Sequence, residues 1–114
     1  MRDLMKVLKA LADKNRMRIL KMLEQKQMCV CEMAAVLGIT QPSVSKHLRI
    51  LKEAGLITAE RNGQWIDYCL CNEKINKYAP VMQCNIKDWI NSDPTIQSDR
   101  KKMKTLCREE LCRK

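Results

Sequence analysis

The sequence predicts a mainly α-helical fold that carries one small β-hairpin, in the order α-α-α-α-β-β-α with a further C-terminal helix. Three observations predict it. Apolar residues recur at helical spacing through the first half of the chain, short extended runs then flank Asn62-Gly63, and helical spacing returns after Pro80. With 114 residues, 46% of them hydrophobic and 31% charged, the chain has the composition of one folded domain.

The first half of the chain predicts four helices. The first is defined by apolar residues at helical spacing, namely Leu4, Val7, Leu8 and Leu11. Asp13 caps a second helix, whose apolar residues are Met17, Ile19, Leu20 and Leu23. A third helix covers residues 29–37 and stops at Gly38, because glycine accepts the left-handed conformation at a helix end. Thr40 and Pro42 open the fourth helix, since proline is tolerated in a first turn.

The second half predicts a hairpin followed by helices. Two extended runs, 56–61 and 65–71, are separated by Asn62-Gly63, which favours a two-residue hairpin turn. Pro80 lies in the first turn of a fifth helix, whose apolar stripe comprises Val81, Met82, Ile86, Trp89 and Ile90. A last, strongly basic helix covers residues 95–107.

The chain divides at the interruption Asn91-Ser92-Asp93-Pro94. We expect one folded domain over residues 1–92, and a basic C-terminal helix with a cysteine-containing tail over residues 93–114. The N-terminus lacks the apolar stretch of a secretory signal, and no apolar run approaches the roughly 20 residues that span a bilayer. We therefore expect a cytoplasmic protein without membrane contact.

The third and fourth helices match a helix-turn-helix. This motif needs a small residue where the helices cross, a glycine in the turn and an aliphatic residue that ties the second helix to the core. Ala34, Gly38 and Val44 supply these at offsets of four and six residues. An ordinary helical hairpin also favours glycine in its turn, but it does not explain the polar face of the fourth helix. That face carries Gln41, Ser43, Ser45, Lys46, His47 and Arg49, which suit base edges and phosphates.

The hairpin that follows extends the predicted contact with DNA. Arg61 and Gln64 flank the turn, so the hairpin would carry basic and polar groups to the phosphate backbone as a wing. The net charge of +9, from 22 basic and 13 acidic residues, agrees with a polyanionic partner, although a basic surface by itself can simply be solvated. Together these features predict a winged helix-turn-helix that binds double-stranded operator DNA.

The same segments resemble the ArsR/SmtB family of bacterial metal-responsive repressors. The residues that carry the resemblance are Ala10-Leu11-Ala12-Asp13, Arg16, Arg18-Ile19-Leu20, Cys29-Val30-Cys31, Ser45-Lys46-His47-Leu48, Leu51, Ala54-Gly55-Leu56-Ile57 and Gly63-Gln64-Trp65. The resemblance covers about residues 3 to 71. It implies a winged-helix homodimer, joined mainly by the first and fifth helices, that blocks transcription until metal binds. Lys14 stands where the family often has proline, a harmless difference because lysine is accepted in the first turn of a helix.

Seven cysteines and one histidine shape the expected metal chemistry. In a reducing compartment cysteines stay as thiols, so they indicate ligands or redox switches more readily than a disulfide framework. Cys29 and Cys31 lie at the start of the third helix, where two residues correspond to about 200° of rotation and would point the sulfurs apart. They are either two small buried residues or soft-metal ligands in an opened first turn. The resemblance to arsenite and cadmium sensors of the Cys-Val-Cys type favours ligands.

A third ligand has to come from elsewhere. Arsenite sensors of this type often have another cysteine three residues further on, where this chain has Ala34, and no cysteine precedes Cys29. Cys107 and Cys112 in the tail are the candidates, from the same or the partner subunit, and we prefer Cys112 because it lies beyond the last apolar period. The alternative is an exposed tail without ligands.

Three thiolates suit arsenite or antimonite, which we expect as the inducer, whereas four thiolates would suit cadmium, lead or zinc. A thiol redox sensor of the same fold and a cytosolic metal carrier are the alternatives, but a carrier needs neither a recognition helix nor a wing. Cys69 and Cys71 are expected to be structural residues on one strand face, and Cys84 to lie in the dimer interface. The sequence contains no sign of enzyme chemistry.

Overall fold

A computed structural model describes residues 1–71 and 75–111 of the chain and confirms the predicted fold class. The helices and strands are α1 (Arg2–Leu11), α2 (Lys14–Leu23), α3 (Val30–Leu37), α4 (Gln41–Glu53), β1 (Ile57–Asn62), β2 (Trp65–Leu70), α5 (Tyr78–Lys87), α6 (Pro94–Lys104) and α7 (Arg108–Leu111). Across these two described ranges, no helix is both long and apolar enough to cross a membrane.

The hydrophobic core lies between α1, α2, α3 and α4 and extends to the first strand of the hairpin. Side chains from each of these elements are almost completely buried in it, among them Val7, Ile19, Met33, Leu51 and Ile57. Those in the helices lie on the apolar faces that helical spacing predicts, and the burial of such side chains is the main favourable term in folding. This core holds α3 and α4 in a fixed relation to each other.

The ends of the helices follow the sequence closely. The carboxylate of Asp13 accepts a hydrogen bond of 3.0 Å from the backbone N–H of Arg16 and caps α2. The hydroxyl of Thr40 accepts one of 3.3 Å from the backbone N–H of Ser43 and caps α4. Gly38 ends α3 with φ of +70°, a conformation that disfavours any residue with a Cβ atom. Gly38 and Thr40 therefore set the turn between α3 and α4.

The two strands form an antiparallel hairpin whose turn lies one residue later than predicted. Asn62 pairs with Trp65, so the two turn residues are Gly63 and Gln64, and the predicted turn at Asn62-Gly63 is wrong. Gly63 has φ of +63°, which fits the first position of a type II′ turn. The side-chain amide of Asn62 donates a 3.1 Å hydrogen bond to the carboxylate of Asp67, which holds Asn62 in the strand.

The apolar stripe predicted for the fifth helix is only partly correct. Because α5 ends at Lys87, Trp89 and Ile90 lie beyond it, and Ile90 takes a left-handed φ of +54°. Ile86 is buried within the chain and is therefore not free for a partner, whereas Val81 is exposed. The ammonium group of the buried Lys21 donates a 2.8 Å hydrogen bond to the carbonyl of Ile86, where carbonyls at a helix end lack helical partners.

The C-terminal segment is two helices rather than the single helix predicted over residues 95–107. The break comes after Lys104, and α6 packs on α2 and α3 while α7 packs on α3. Ile96 and Met103 are buried, and the guanidinium group of Arg18 donates two hydrogen bonds of 2.8 Å to the carboxylate of Asp99. The described part of this segment therefore packs on the core, while Cys112 lies outside the described residues.

Candidate DNA-binding face and cysteine site

The fourth helix has one buried and one exposed face. Val44, Leu48 and Leu51 are almost completely buried in the core. The opposite face exposes five of the six residues predicted to meet DNA, namely Gln41, Ser43, Ser45, Lys46 and Arg49. This arrangement leaves two cations and several hydrogen-bonding groups accessible on a helix that is anchored rigidly from behind.

His47, the sixth predicted contact, differs from the expectation because its side chain is only 18% exposed. Its Nδ1 atom lies 3.2 Å from a guanidinium nitrogen of Arg16 and 3.9 Å from the carboxylate of Asp13. Arg16 in turn donates hydrogen bonds to the carbonyls of Lys9 and Ala10 at the end of α1. The histidine therefore joins α4 to α1 and α2 instead of standing free on the exposed face.

The hairpin places its predicted contacts at the tip. Arg61 precedes the last pair of β1, Gln64 is a turn residue, and both side chains are exposed. The strand β2 is also tied to the start of α3, because Met28 and Tyr68 exchange two backbone hydrogen bonds of 2.8 and 3.2 Å. The start of α3 and the wing are therefore in direct backbone contact.

Cys29 is the N-cap of α3 rather than its first helical residue. It has an extended backbone, its side chain is buried, and it forms a capping box with Glu32. The carboxylate of the buried Glu32 accepts a 3.0 Å hydrogen bond from the backbone N–H of Cys29. Because Cys29 lies outside the regular helix, the rotation of about 200° between two residues of a regular helix does not apply to this pair.

Cys31 lies in the first turn of α3 and is half-buried. Its sulfur accepts a hydrogen bond of 3.5 Å from the side-chain amide of Gln41, the first residue of α4. This weak contact connects the Cys-Val-Cys segment to a residue predicted to read DNA.

The described residues do not contain an assembled metal site. Within residues 1–71 and 75–111, no three side chains of His, Cys, Asp or Glu are grouped closely enough to hold a metal ion. Cys107 is exposed and directly precedes α7, which packs on α3. The thiol chemistry of Cys29 and Cys31 fits a soft ion. The predicted third ligand stays a prediction, since Cys112 lies outside the described residues.

The other cysteines differ in their surroundings. Cys69 is half-buried in β2, and burial, followed by the negative charges of Glu60, Cys71 and Asp67, raises the pKa of its thiol. A raised pKa keeps the thiol protonated and makes it a poor ligand. Cys71 is buried beside β1, and Cys84 is exposed on α5.

Two parts of this region were not predicted from the sequence. One is Arg16, whose hydrogen bonds join three helices; the other is a set formed by Arg108, Trp65 and Asp67 across the hairpin. The acidic residue Asp67 lies among apolar residues of β2, which indicates that a positively charged partner compensates its charge. That partner, Arg108, lies 41 residues away in the sequence. No local pattern identifies such a partner.

Comparison with known proteins places this geometry in a family. Residues 13–59 match the family that is described as "Bacterial regulatory protein, arsR family". Over 92 residues, 76% of this chain and 71% of the relative, the chain is 34% identical to an arsenic resistance transcriptional regulator of Pseudomonas putida. Over 93 residues, 79% of this chain and 75% of the relative, it is 37% identical to the arsenical resistance operon repressor of Escherichia coli.

A solved structure agrees with these relatives. The homodimeric winged helix-turn-helix DNA-binding domain of a Mycobacterium bovis protein is similar to this chain with a TM-score of 0.62 and 30% identity, covering 74% of this chain and 78% of that domain. Because the relatives are transcriptional regulators, the expectation of a non-enzymatic protein is confirmed. The chain therefore belongs to the ArsR/SmtB family of winged helix-turn-helix transcriptional repressors.

Proposed function

We propose that this repressor leaves its operator when arsenite or antimonite binds Cys29, Cys31 and a third thiolate from the C-terminal segment. The active form is a homodimer, and its DNA-reading residues are Gln41, Ser43, Ser45, Lys46, His47 and Arg49 on α4 with Arg61 and Gln64 on the wing. His47 contributes mainly through its contacts with Arg16 and Asp13, since its side chain is largely covered.

The position of Cys29 carries the proposal. As the N-cap, Cys29 helps to satisfy backbone N–H groups that the first turn of a helix cannot satisfy itself. A sulfur that becomes a ligand to an electron-poor centre is a weaker hydrogen-bond acceptor. Inducer capture at Cys29 therefore removes support from the first turn of α3, which is the first helix of the DNA-binding motif.

The hydrogen bond between Gln41 and Cys31 provides a direct route to the recognition helix. Gln41 is the first residue of α4, and its amide contacts the sulfur of Cys31. When Cys31 turns toward a shared ion, this contact is lost, so the amide no longer has its resting orientation toward DNA. Inducer lowers DNA affinity only by its preference for the altered conformation, typically about 5–150-fold for such couplings.

The chemistry of capture requires three thiols. Arsenous acid exchanges each hydroxyl for a thiolate; every exchange releases one water that carries away the thiol proton, and the oxidation state of arsenic is unchanged. Cys29 and Cys31 supply two sulfurs, and we retain Cys112 as the preferred third donor, with Cys107 as the alternative. The packing of α7 on α3 supports a donor from this segment, because α7 lies between the two candidate cysteines in the sequence and contacts the helix that carries Cys31.

The test uses an operator fragment selected from a pool of random duplexes by the full-length protein. Fluorescence anisotropy measures how arsenite, antimonite, cadmium, lead and hydrogen peroxide release the labelled fragment. Cys29→Ser and Cys31→Ser are expected to bind the fragment but to retain it in arsenite. Cys112→Ser is expected to weaken the response, Cys107→Ser tests the alternative donor, and Cys84→Ser is the matched control that keeps it.

Normal release by arsenite from the double variant of Cys29 and Cys31 would place the site elsewhere, with Cys69 and Cys71 as the next candidates. Release by cadmium or lead but not by arsenite would replace the metalloid with a divalent ion. Release by peroxide alone, reversed by a reductant, would make the protein a redox sensor.

A further inference from the structure

Arg108, the first residue of α7, contacts the wing. Its guanidinium group lies over the indole ring of Trp65, 4.3 Å from the ring centroid, and forms an ion pair with Asp67. Asp67 is only 3% exposed and also accepts the hydrogen bond from Asn62. The cation therefore contacts two residues of β2 and, through Asp67, the end of β1 beside the turn.

The same guanidinium group lies near the cysteine end of the helix-turn-helix. Asp67 precedes Tyr68, whose backbone exchanges two hydrogen bonds with Met28, the residue before Cys29. Because Arg108 forms an ion pair with Asp67, its guanidinium group lies beside the chain that leads into α3, which agrees with the packing of α7 on α3. Arg108 also directly follows Cys107, one of the two candidate third ligands.

The wing needs support of this kind because a two-stranded hairpin is only marginally stable by itself. The hairpin is the whole of the described sheet, and burial along β1 falls from Ile57 to the exposed residues 60–62, so the tip of the wing lacks the core packing of its base. A cation over an aromatic ring and an ion pair to a buried carboxylate are both sensitive to position. They fix the orientation of the wing tip relative to α3.

We propose that Arg108 is the positioning residue of the wing. Its contacts with Trp65 and Asp67, here called the strap, hold the hairpin against the cysteine end of α3. Binding of inducer to the neighbouring cysteines breaks these contacts. The positioning role of Arg108 concerns the protein without inducer and stands independently, whereas the release of the strap by inducer rests on the proposed function. The strap has an incomplete set of partners, since the buried Nε of Arg108 has no hydrogen-bond partner among the described residues. An unpaired buried donor makes this contact easier to open.

Tryptophan emission tests the contact directly. Trp65 and Trp89 are the two tryptophans of the chain, so Trp89→Phe leaves Trp65 as the sole reporter. In this background Arg108→Gln is expected to shift the emission to longer wavelength and to increase quenching by iodide, because the ring loses its cover. The emission wavelength and iodide quenching of Arg108→Lys should lie between those of Arg108→Gln and those of the parent protein. Asp67→Asn attacks the same strap from the wing side, and Lys101→Gln removes an equal charge from an exposed residue of α6 as the control.

The salt dependence of binding to the selected operator fragment separates positioning from direct contact. Arg61→Gln and Arg108→Gln are each expected to reduce the slope by about one counterion. If Arg108 acts through the wing, the double variant also loses about one counterion rather than two, because both changes remove the same contact. Additive slopes, an unaltered slope in Arg61→Gln, or Trp65 emission in Arg108→Gln equal to that of the parent would each overturn the positioning role.

Arsenite then tests the release of the strap. In the Trp89→Phe protein, arsenite is expected to move Trp65 emission toward that of Arg108→Gln, and to cause no further shift when Arg108 is already Gln. Release of DNA with unchanged Trp65 emission would overturn the coupling while the proposed function survived. Failure of arsenite to release DNA, with the metal-free results as expected, would overturn the proposed function and the release step but leave the positioning role intact.

Discussion

The angular position of each side chain on α4 decides whether it is buried in the core or exposed for contact with DNA. Lys46 and Arg49 are exposed, while Val44 and Leu48 are buried on the other face. This division was readable from the sequence, because apolar residues at helical spacing mark the inner face. The exception is His47, whose partial burial depends on Arg16 from another helix.

Lys46→Ala or Arg49→Ala is expected to weaken operator binding without changing the fold or the oligomeric state. Each substitution removes a cation that can neutralise a phosphate, so the slope of log affinity against log salt should fall by about one counterion. Titrations of the labelled operator fragment at several salt concentrations measure this slope, and circular dichroism checks the fold. Unchanged affinity and slope in both variants would contradict the recognition-helix assignment.

Helix termini illustrate how far local sequence determines an element. Asp13, Thr40 and Gly38 adopt the capping roles that their residue types predict. The turn of the hairpin does not follow its local signal, because the side chain of Asn62 bonds to Asp67 and keeps Asn62 paired with Trp65. A buried carboxylate thus displaces by one residue a turn that Asn-Gly would otherwise form.

The cap of α2 carries a pH dependence. The hydrogen bond from the backbone of Arg16 is the largest cause that lowers the pKa of Asp13 from its ordinary value of 3.8. A lowered pKa means that the carboxylate stabilises the fold fully above about pH 3.8 and that this contribution is lost as the pH falls through the folded-state value.

Asp13→Asn is therefore expected to reduce the acid sensitivity of stability while retaining a cap, since an amide oxygen also accepts the hydrogen bond. Asp13→Ala is expected to cost about 1 kcal/mol at neutral pH, because the cap is removed altogether. Urea unfolding from pH 3 to pH 7 measures both effects. The same pH profile in Asp13→Asn and the parent would show that the Asp13 carboxylate is not its source.

At the scale of the whole molecule, the adjoining helices α1 and α5 leave apolar side chains in solvent. Leu8 is 40% exposed and Val81 is 60% exposed, and Trp89 beyond the end of α5 is 50% exposed. Exposed apolar surface on two neighbouring helices is typical of an interface. The exposed apolar residues of α1 and α5 therefore favour the predicted dimer.

Val81→Asp is expected to shift the protein from dimer to monomer and to weaken operator binding, because a dimer reads two half-sites about one helical turn apart. Sedimentation at micromolar concentration measures the oligomeric state. Ile66→Asp, at an exposed apolar residue of the wing, is the matched control for dimerisation and should remain a dimer. A parent protein that sediments as a monomer and still binds its operator fully would contradict the predicted dimer.

The sequence by itself determined the fold class, the caps at Asp13, Gly38 and Thr40, and the buried face of α4. These features depend on residue type and short-range periodicity, which are written along the chain. Only the tertiary structure decided that Ile86 is buried within one subunit, that His47 is covered by Arg16, and that residues 93–111 pack on the core. It also decided that Arg108 meets Trp65 and Asp67, since a contact over some 40 residues depends on how packed helices return the chain to the wing and leaves no pattern in either segment.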